Sequence, residues 1–261
     1  RGFTTGQVMV VLVLASPILP SKNNFVKALR KLHPEISTVV LNVNDKRTSM
    51  VLGERNITLY GKGYIEDELC GLMFRISPSS FYQINPVQTE KLYEAAVKYA
   101  GLTGKERVFD AYCGIGTISL FLAQNAKQVY GVEIVPQAIA DANENAKLNG
   151  ITNARFFVGK AEEVLPGFYG RGETGSGADM LHPDVIVVDP PRKGCDEKCL
   201  DTMLKMEPQR IVYVSCDSAT LARDLKILCE EKYELVKWQA FDQFSHTGHV
   251  ETVVGLQRKD T

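Results

Sequence analysis

The sequence of 261 residues lacks the long apolar run that a membrane span requires. Its apolar stretch from Val8 to Ala15 is far shorter than the roughly 20 residues needed to cross a bilayer. Neither a basic start nor a secretory cleavage site accompanies that stretch. We therefore expect a cytoplasmic protein that has no membrane partner.

Cysteine is present, but not in the pattern of a disulfide-stabilised or zinc-binding protein. Cys195 and Cys199 lie close together, yet no second Cys or His pair is near them, so we expect no metal site. The other positions do not form the compact framework of small secreted domains. Reduced thiols in the cytoplasm fit this pattern best. The cysteines are Cys70, Cys113, Cys195, Cys199, Cys216 and Cys229.

An excess of charge is also missing, because the formal net charge is only -1. This excludes a globally basic nucleic-acid binder, and a hydrophobic content of 44% is ample for one domain with a core and a smaller one. The charge is uneven, however. Residues 1–75 carry ten Lys and Arg against six Asp and Glu. This is as compatible with ordinary scatter as with a polyanionic partner.

The N-terminal part, residues 1–75, reads as a small α+β region. A short helix from Asn24 to Leu32 stops before Pro34. Residues 76–104 form a linker and a helix from Pro86 to about Ala100, closed by Gly101, which packs on the following domain. The strands predicted from β-branched or alternating runs in the first region are Gln7–Leu14, Thr38–Val43, Ser49–Leu52 and Asn56–Tyr60.

From residue 105 onward, strands and helices alternate, which is typical of a Rossmann-like α/β domain with a mostly parallel sheet. The last two of seven strands have no helix between them and predict a C-terminal antiparallel hairpin. The glycine-rich segment Gly167–Pro183 predicts a surface loop. The predicted helices cover 117–125, 136–148, 196–206 and 218–231, and the strands are Arg107–Ala111, Gln128–Glu133, Ala154–Val158, Val185–Asp189, Arg210–Ser215, Glu234–Phe241 and His249–Leu256.

A glycine-containing turn after the first of these strands indicates a nucleoside site. Gly114 and Gly116 allow a ligand to approach the backbone, although a plain βα turn would look the same. Glu133 ends the next strand, at the spacing expected for an acid that binds ribose hydroxyls. Ser119 stands where a dinucleotide fingerprint has its third glycine, and no phosphate-loop Lys follows. S-adenosylmethionine is therefore the favoured ligand.

Two strand ends carry candidates for catalysis. Asp189 follows four aliphatic residues and precedes two prolines that hold the chain rigid, or it is simply a turn residue. Cys216 ends another strand just before a helix, whose N-terminus would favour the thiolate. A structural cysteine is an equally good interpretation of Cys216 alone. Cys113 competes as nucleophile but lies in the ligand turn.

Two further residues stand out near the ends of the second domain. Glu251 is an acid in an otherwise apolar strand, which is costly unless the group is solvated or functional. Phe81 opens an aromatic and polar cluster that could stack on a base, or form a hydrophobic staple with Asn85 as helix cap. A thiol and carboxylates at strand ends suggest covalent catalysis with a proton to remove.

Taken together, these motifs resemble the RNA (uracil-5-)-methyltransferase family, whose members make 5-methyluridine in ribosomal or transfer RNA. The resemblance runs in family order from about residue 70, and residues 1–70 are less specifically similar to the family's central domain. The motifs are residues 81–86 (Phe-Tyr-Gln-Ile-Asn-Pro), 110–117 (Asp-Ala-Tyr-Cys-Gly-Ile-Gly-Thr), 131–133 (Gly-Val-Glu), 189–194 (Asp-Pro-Pro-Arg-Lys-Gly), 215–217 (Ser-Cys-Asp), 220–224 (Thr-Leu-Ala-Arg-Asp) and 246–251 (His-Thr-Gly-His-Val-Glu).

The resemblance implies a class I methyltransferase domain and a role for each residue. Cys216 would add to C6 of uracil, and Glu251 would remove the C5 proton. Phe81 would pack against the flipped base, with Asp189 touching cofactor and base. S-adenosylmethionine would be the cofactor, and the partner would be RNA, 23S ribosomal more than transfer, bound by a monomer. The cofactor residues would be Gln83, Tyr112, Gly114, Gly116, Glu133 and Asp189.

The chain also departs from the family. Ser218 and Ser245 stand where members often have Pro. The N-terminal oligonucleotide-binding-like domain and the four-cysteine iron–sulfur cluster of many members are not visible, so we expect a fragment that lacks the N-terminal domain. Three alternatives remain at this point: an RNA cytosine-5 methyltransferase, an amino-methyltransferase in which Cys216 is dispensable, and an RNA-binding module without catalysis. The missing third glycine makes a nicotinamide oxidoreductase the least favoured.

Overall fold

A computed structural model describes residues 1–169 and 182–259 of the chain, which divides into two compact units, Arg1–Tyr82 and Gln83–Thr261. The first unit contains the elements β1 (Val8–Leu14), α1 (Lys22–Leu32), β2 (Ile36–Val43), β3 (Arg55–Tyr60), β4 (Ile65–Leu69) and β5 (Leu72–Ile76). The second contains α2 (Pro86–Ala100), β6 (Arg107–Asp110), α3 (Thr117–Ala123), β7 (Gln128–Glu133), α4 (Pro136–Leu148), β8 (Ala154–Val158), α5 (Ala161–Tyr169), β9 (Val185–Val188), α6 (Glu197–Met206), β10 (Arg210–Ser215), α7 (Ser218–Glu231), β11 (Tyr233–Phe241) and β12 (Glu251–Arg258).

The first unit holds a three-stranded sheet and a separate hairpin. In the sheet, β2 is central, parallel to β1 and antiparallel to β3. Val26 of α1 packs with Ile36 and Val39 of β2 in a small core. The hairpin of β4 and β5 was not predicted, because three of the five residues of β4 are acidic and mask the strand pattern.

The predicted strand Ser49–Leu52 is wrong. Side-chain amides take the backbone groups that a strand would use in a ladder. The Nδ2 atom of Asn44 donates to the carbonyl oxygens of Met50 and Val51 at 2.8 and 3.0 Å. The amide of Asn42 holds the backbone of Gly53 in the same way, through hydrogen bonds of 2.7 and 2.8 Å. The segment is therefore a loop, and β3 begins only at Arg55.

The second unit is built on the predicted seven-stranded, mostly parallel sheet, in the order β11-β12-β10-β9-β6-β7-β8. The strand β12 runs antiparallel to both β10 and β11, which confirms the C-terminal hairpin. The strand β12 covers Glu251–Arg258 and starts two residues later than predicted. The reason is local: His249 still belongs to a turn, where its backbone N–H donates to the hydroxyl of Thr247 at 3.2 Å.

The predicted loop Gly167–Pro183 falls for the most part outside the described residues. Its first residues lie in α5, which ends at Tyr169 and was not predicted. His182 and Pro183 follow at the other end, outside regular structure. No helix within 1–169 and 182–259 is both long and apolar enough to traverse a bilayer.

The sheet's core explains where the site forms. All four residues of β9 are fully buried, as are Ile211, Val212 and Tyr213 of β10. A parallel sheet covered on both faces leaves its polar chemistry to the loops at the carboxyl ends of the strands. The motif residues of the second unit follow β6, β7, β9 and β10 at this edge, and Glu251 of antiparallel β12 begins there.

Candidate active site

The pairing of β10 with β12 brings Cys216 close to Glu251. Ser215, the last residue of β10, pairs with Thr252 of β12. Cys216 follows β10 directly and Glu251 begins β12, so the two residues meet at the same end of this strand pair. The carboxylate of Glu251 lies close enough to raise the pKa of the Cys216 thiol. A thiol and a carboxylate therefore lie together at the sheet edge.

Cys216 is partly exposed, as a nucleophile must be, whereas the competing Cys113 is buried. Burial raises the pKa of the Cys216 thiol, and the nearby carboxylates of Glu251 and Asp189 raise it further. The expectation that the helix N-terminus favours the thiolate is thus wrong for the ligand-free protein. Asp217 already caps α7, accepting hydrogen bonds from the backbone N–H groups of Ala219 and Thr220 at 3.0 Å.

Arg192 is a residue whose role the sequence did not reveal. Its guanidinium opposes the carboxylates, because it lowers the pKa of both Glu251 and Cys216. One of its Nη atoms lies 3.5 Å from Nε2 of His249. The only sequence signal was the position after two prolines, which fixes the backbone but does not say where the side chain lies. Arg192 thus provides the positive charge beside the thiol and the carboxylate.

Glu251 is almost completely buried, with 3% of its surface exposed. Burial raises the pKa of its carboxyl group, against the influence of Arg192. A buried carboxyl with a raised pKa is a better proton acceptor than an ordinary glutamate once it is ionised. The interpretation as a solvated edge residue is excluded by this burial.

Asp189 follows the buried strand β9 and is half-buried. Desolvation raises the pKa of its carboxyl to about 8, and the charges of Glu251 and Asp110 add to the effect. Carboxylates that repel one another in a poorly solvated site are typical of functional clusters. The structure therefore brings Asp189, Glu251 and Cys216 together at one point.

The raised pKa of Asp189 predicts a pH-dependent stability of the ligand-free protein. The folded state keeps this proton up to about pH 8, while the unfolded chain loses it near pH 4. Stability is therefore lost as pH rises between these values. We expect the melting temperature of Asp189→Asn, relative to wild type, to rise progressively between pH 5 and pH 8 in calorimetry. Replacement of the exposed Asp201 by Asn should give a difference that does not change with pH, and a flat profile for Asp189→Asn would contradict the raised pKa of Asp189.

The glycine turn is open where a ligand must approach. Gly114 has φ +54°, and nothing lies within 4 Å of the position that a Cβ would take there. Gly116 has φ +86° and begins α3, close to the ring of Phe156. The Nδ2 atom of Asn145 donates to the Ile115 carbonyl at 3.0 Å, which holds the turn on α4. Asn145 thus holds the turn in place, and the space next to Gly114 stays free for a ligand.

Ser119, in place of a third glycine, has a partner of its own. Its hydroxyl donates to the carboxylate of Asp110 at 2.6 Å, and the backbone N–H of Tyr112 donates to the other oxygen at 3.3 Å. Burial raises the pKa of Asp110 to about 6. The serine therefore fastens the start of α3 to the end of β6.

Glu133 and Tyr112 lie on either side of this turn. One carboxylate oxygen of Glu133 accepts a hydrogen bond from the backbone N–H of Val135 at 3.0 Å, and the side chain is only partly buried. The second oxygen can therefore accept bonds from ribose hydroxyls. Tyr112 is half-buried and packs against the core, and its pKa is raised by burial and by Cys195 and Cys199.

Gln83 takes part in a network that the sequence did not predict. Gln243, a buried residue of the loop before β12, donates through Nε2 to the Thr89 hydroxyl at 2.9 Å and to Oε1 of Gln83 at 3.3 Å. Thr89 in turn donates to the Asn85 carbonyl at 2.8 Å, which fixes the orientation of the Gln243 amide. The carbonyl of Gln83 is thereby occupied, and its NH₂ group is the part left for a ligand.

The cluster around Phe81 divides between the two units. Phe81 belongs to the first unit, and 72% of its surface is exposed. Asn85 belongs to the second unit and caps α2, accepting a hydrogen bond from the backbone N–H of Gln88 at 3.3 Å. The cap interpretation of Asn85 is therefore correct, and the stacking role of Phe81 stays a prediction.

In residues 1–169 and 182–259, no group of three or more His, Cys, Asp or Glu side chains could hold a metal ion.

Comparison with known sequences gives one family over nearly the whole chain. The family described as tRNA (uracil-5-)-methyltransferase matches residues 4–259. An uncharacterized RNA methyltransferase of Clostridium acetobutylicum is 52% identical over 260 residues, 100% of this chain and 55% of the relative. One of Halalkalibacterium halodurans is 51% identical over 259 residues, 99% of this chain and 55% of the relative. The chain thus spans about half the length of the curated relatives it matches.

Comparison with solved structures agrees with the fold. The crystal structure of Pyrococcus abyssi tRNA (uracil-54, C5)-methyltransferase in complex with S-adenosyl-L-homocysteine matches with a TM-score of 0.77 and 29% identity, covering 98% of this chain and 58% of that one. The tRNA m1G37 methyltransferase of M. jannaschii matches with a TM-score of 0.60 at 13% identity, covering 98% and 74%. The second likeness shows the fold alone.

Proposed function

Because this chain belongs to the tRNA (uracil-5-)-methyltransferase family, we propose that it carries the catalytic part of an enzyme that methylates C5 of a uridine in RNA. The observation that carries the proposal is the pairing of β10 with β12, which brings Cys216, the residue after β10, close to Glu251, the first residue of β12. The end of one strand would supply a nucleophile and its neighbour a base.

The reaction requires both groups because C5 of uracil is a poor nucleophile. Addition of the Cys216 sulfur to C6 turns the ring into an enolate with electron density at C5. After methylation, the ring still carries the original proton at C5. Glu251 removes this proton, the C5–C6 double bond forms again, and the thiolate leaves. Arg192 lies beside both groups and stabilises the thiolate charge, since it lowers the pKa of Cys216.

S-adenosylmethionine fits the residues present, as the methyl donor for C5. Gly114 leaves open space where a side chain would otherwise stand, and Glu133 keeps one carboxylate oxygen for ribose hydroxyls. Gln83 offers its NH₂ group. With Tyr112, Gly116 and Asp189, these are the residues that would hold the cofactor, and Asp189 would also contact the base.

For the RNA class we propose 23S ribosomal RNA, with transfer RNA as the alternative. The alternative has a specific basis, since the similar enzyme from Pyrococcus abyssi is described as acting on uracil of tRNA. The base must leave its stack in either RNA before C6 can meet Cys216. We also propose that the protein acts as a monomer in the cytoplasm.

Two measurements test this function. Mass mapping of 5-methyluridine in ribosomal and transfer RNA from a deletion strain should show one class of RNA losing the modification. Loss from transfer RNA alone would replace the ribosomal proposal. Transcripts that contain uridine without cytidine, or cytidine without uridine, distinguish methylation of uracil from methylation of cytosine. Methylation of the transcript without uridine would contradict uracil as the target.

A variant of Glu133 tests the cofactor site independently of RNA. We expect Glu133→Ala to weaken binding of S-adenosylmethionine by about 1–3 kcal/mol in calorimetry, because a charge-assisted hydrogen bond to the ribose is lost. Glu94→Ala, which removes an exposed acid from α2, should leave the affinity unchanged. Equal affinities for the two variants would remove Glu133 from the site.

A further inference from the structure

A second site lies in the first unit, in a groove between α1 and β3. The groove has a volume of about 410 Å³. Its polar lining comes from Asn23, Lys27, Arg30 and Lys31 of α1 and from Tyr60 of β3. Arg30 and Lys31 lie three and four residues after Lys27, which places both of them beside Lys27 on one face of the helix.

Arg30 is held in place but its donors are not fully used. Its guanidinium lies over the ring of Tyr60, with Cζ 3.8 Å from the ring centroid. The Nε atom is buried and has no hydrogen-bond partner. A buried donor without an acceptor costs free energy that a bound anion would recover. Stacking on tyrosine also fixes the plane of the guanidinium, which suits bidentate binding of a phosphate.

Among the described residues, no ion pair neutralises the positive charge of the groove. The sequence of α1 contains Lys22, Lys27, Arg30 and Lys31 and no acidic residue. The ion pairs found within residues 1–169 and 182–259 leave out all four of these side chains. Lys27 and Lys31 repel each other at a spacing of four, which destabilises the helix slightly. A bound anion would remove this repulsion.

We propose that this groove binds the phosphate backbone of the RNA substrate, an inference that rests on the proposed function. The cations line a concave surface, which admits a nucleic-acid strand but not a flat lipid surface. They also lie within residues 1–75, the part of the sequence with an excess of basic residues. Binding to phosphates is independent of base identity, so the groove contributes affinity and orientation, while the catalytic unit selects the uridine.

A pair of lysine variants tests the groove. Binding of a fluorescent transcript is measured by anisotropy across a range of salt concentrations, without S-adenosylmethionine. We expect Lys27→Gln/Lys31→Gln to bind about tenfold more weakly and to lower the salt slope by roughly 1.5, because two phosphate contacts are lost. The matched control is Lys105→Gln/Lys127→Gln, two exposed lysines before β6 and β7, which should bind like wild type. The first variant should melt no lower than wild type, since a repulsion is removed.

A second variant separates geometry from charge. Arg30→Lys keeps the charge but loses the planar stack on Tyr60, and we expect RNA binding several-fold weaker than wild type. If the lysine variant and its control bind RNA equally well, the groove proposal is wrong, while methylation by the wild type would leave the proposed function intact. If the lysine variant loses RNA binding but the wild type methylates no uridine, the groove proposal stands and the proposed function is wrong. Binding of wild type to phosphatidylserine vesicles but not to RNA would also overturn the proposal.

Discussion

Replacement of Cys216 by alanine is expected to lower methyl transfer by at least about 10⁴-fold while S-adenosylmethionine affinity stays within about twofold of wild type. The reason is that C5 of uracil gains no electron density unless a nucleophile adds at C6. The thiol makes this bond and does not hold the cofactor. Transfer of labelled methyl groups to RNA measures the first quantity, and calorimetry measures the second.

Cys229 supplies the matched control for this substitution. Its thiol is also partly exposed, and burial raises its pKa as it does for Cys216. It lies on α7, away from the strand ends that carry the carboxylates. Cys229→Ala should therefore keep full activity. Activity retained in the Cys216 variant would refute covalent catalysis and favour an enzyme that methylates an amino group.

Replacement of Glu251 by glutamine is expected to stop the reaction after methyl transfer. Glutamine cannot take up the C5 proton, so the sulfur cannot leave C6, and a protein–RNA adduct accumulates that survives a denaturing gel. Turnover should fall by about 10²–10⁴-fold, the usual effect of losing a general base. The substitution keeps the size of a side chain that is 3% exposed, so the fold should tolerate it.

The double variant Cys216→Ala/Glu251→Gln controls for non-covalent retention of RNA. It should bind RNA but give no band of increased mass on the gel, because the attacking sulfur is absent. Ordinary turnover by the single Glu251 variant would assign proton removal to another group. Asp189 would then be the first alternative, since its pKa of about 8 also suits a proton acceptor.

Most of the sheet could be predicted from sequence because its strands are buried runs of β-branched residues. Val185–Val188 and Arg210–Ser215 match strands of that type. The acidic hairpin strand β4 and the loop at Ser49–Leu52 could not be predicted in the same way. Three acidic residues in succession hide the first, and amide hydrogen bonds from Asn44 decide the second.

The residues of the site likewise divide into those that the sequence predicts and those that it does not. Cys216 and Glu251 could be named from their strand ends, but their closeness depends on β12 inserting beside β10, a non-local pairing that the sequence does not determine. The predicted direction of the Cys216 pKa shift was wrong because burial and the neighbouring carboxylates outweigh the helix N-terminus. Arg192 and Gln243 act through contacts between segments distant in sequence, so no local pattern reveals them.

The most direct test of covalent catalysis by Cys216 is to identify the atom that holds the RNA in the Glu251→Gln adduct. After digestion with nuclease and protease, mass spectrometry should find a single peptide carrying a methylated uridine nucleotide on Cys216. A nucleotide on Cys113 or on any other residue, or a complex that falls apart on denaturation, would contradict covalent catalysis by Cys216.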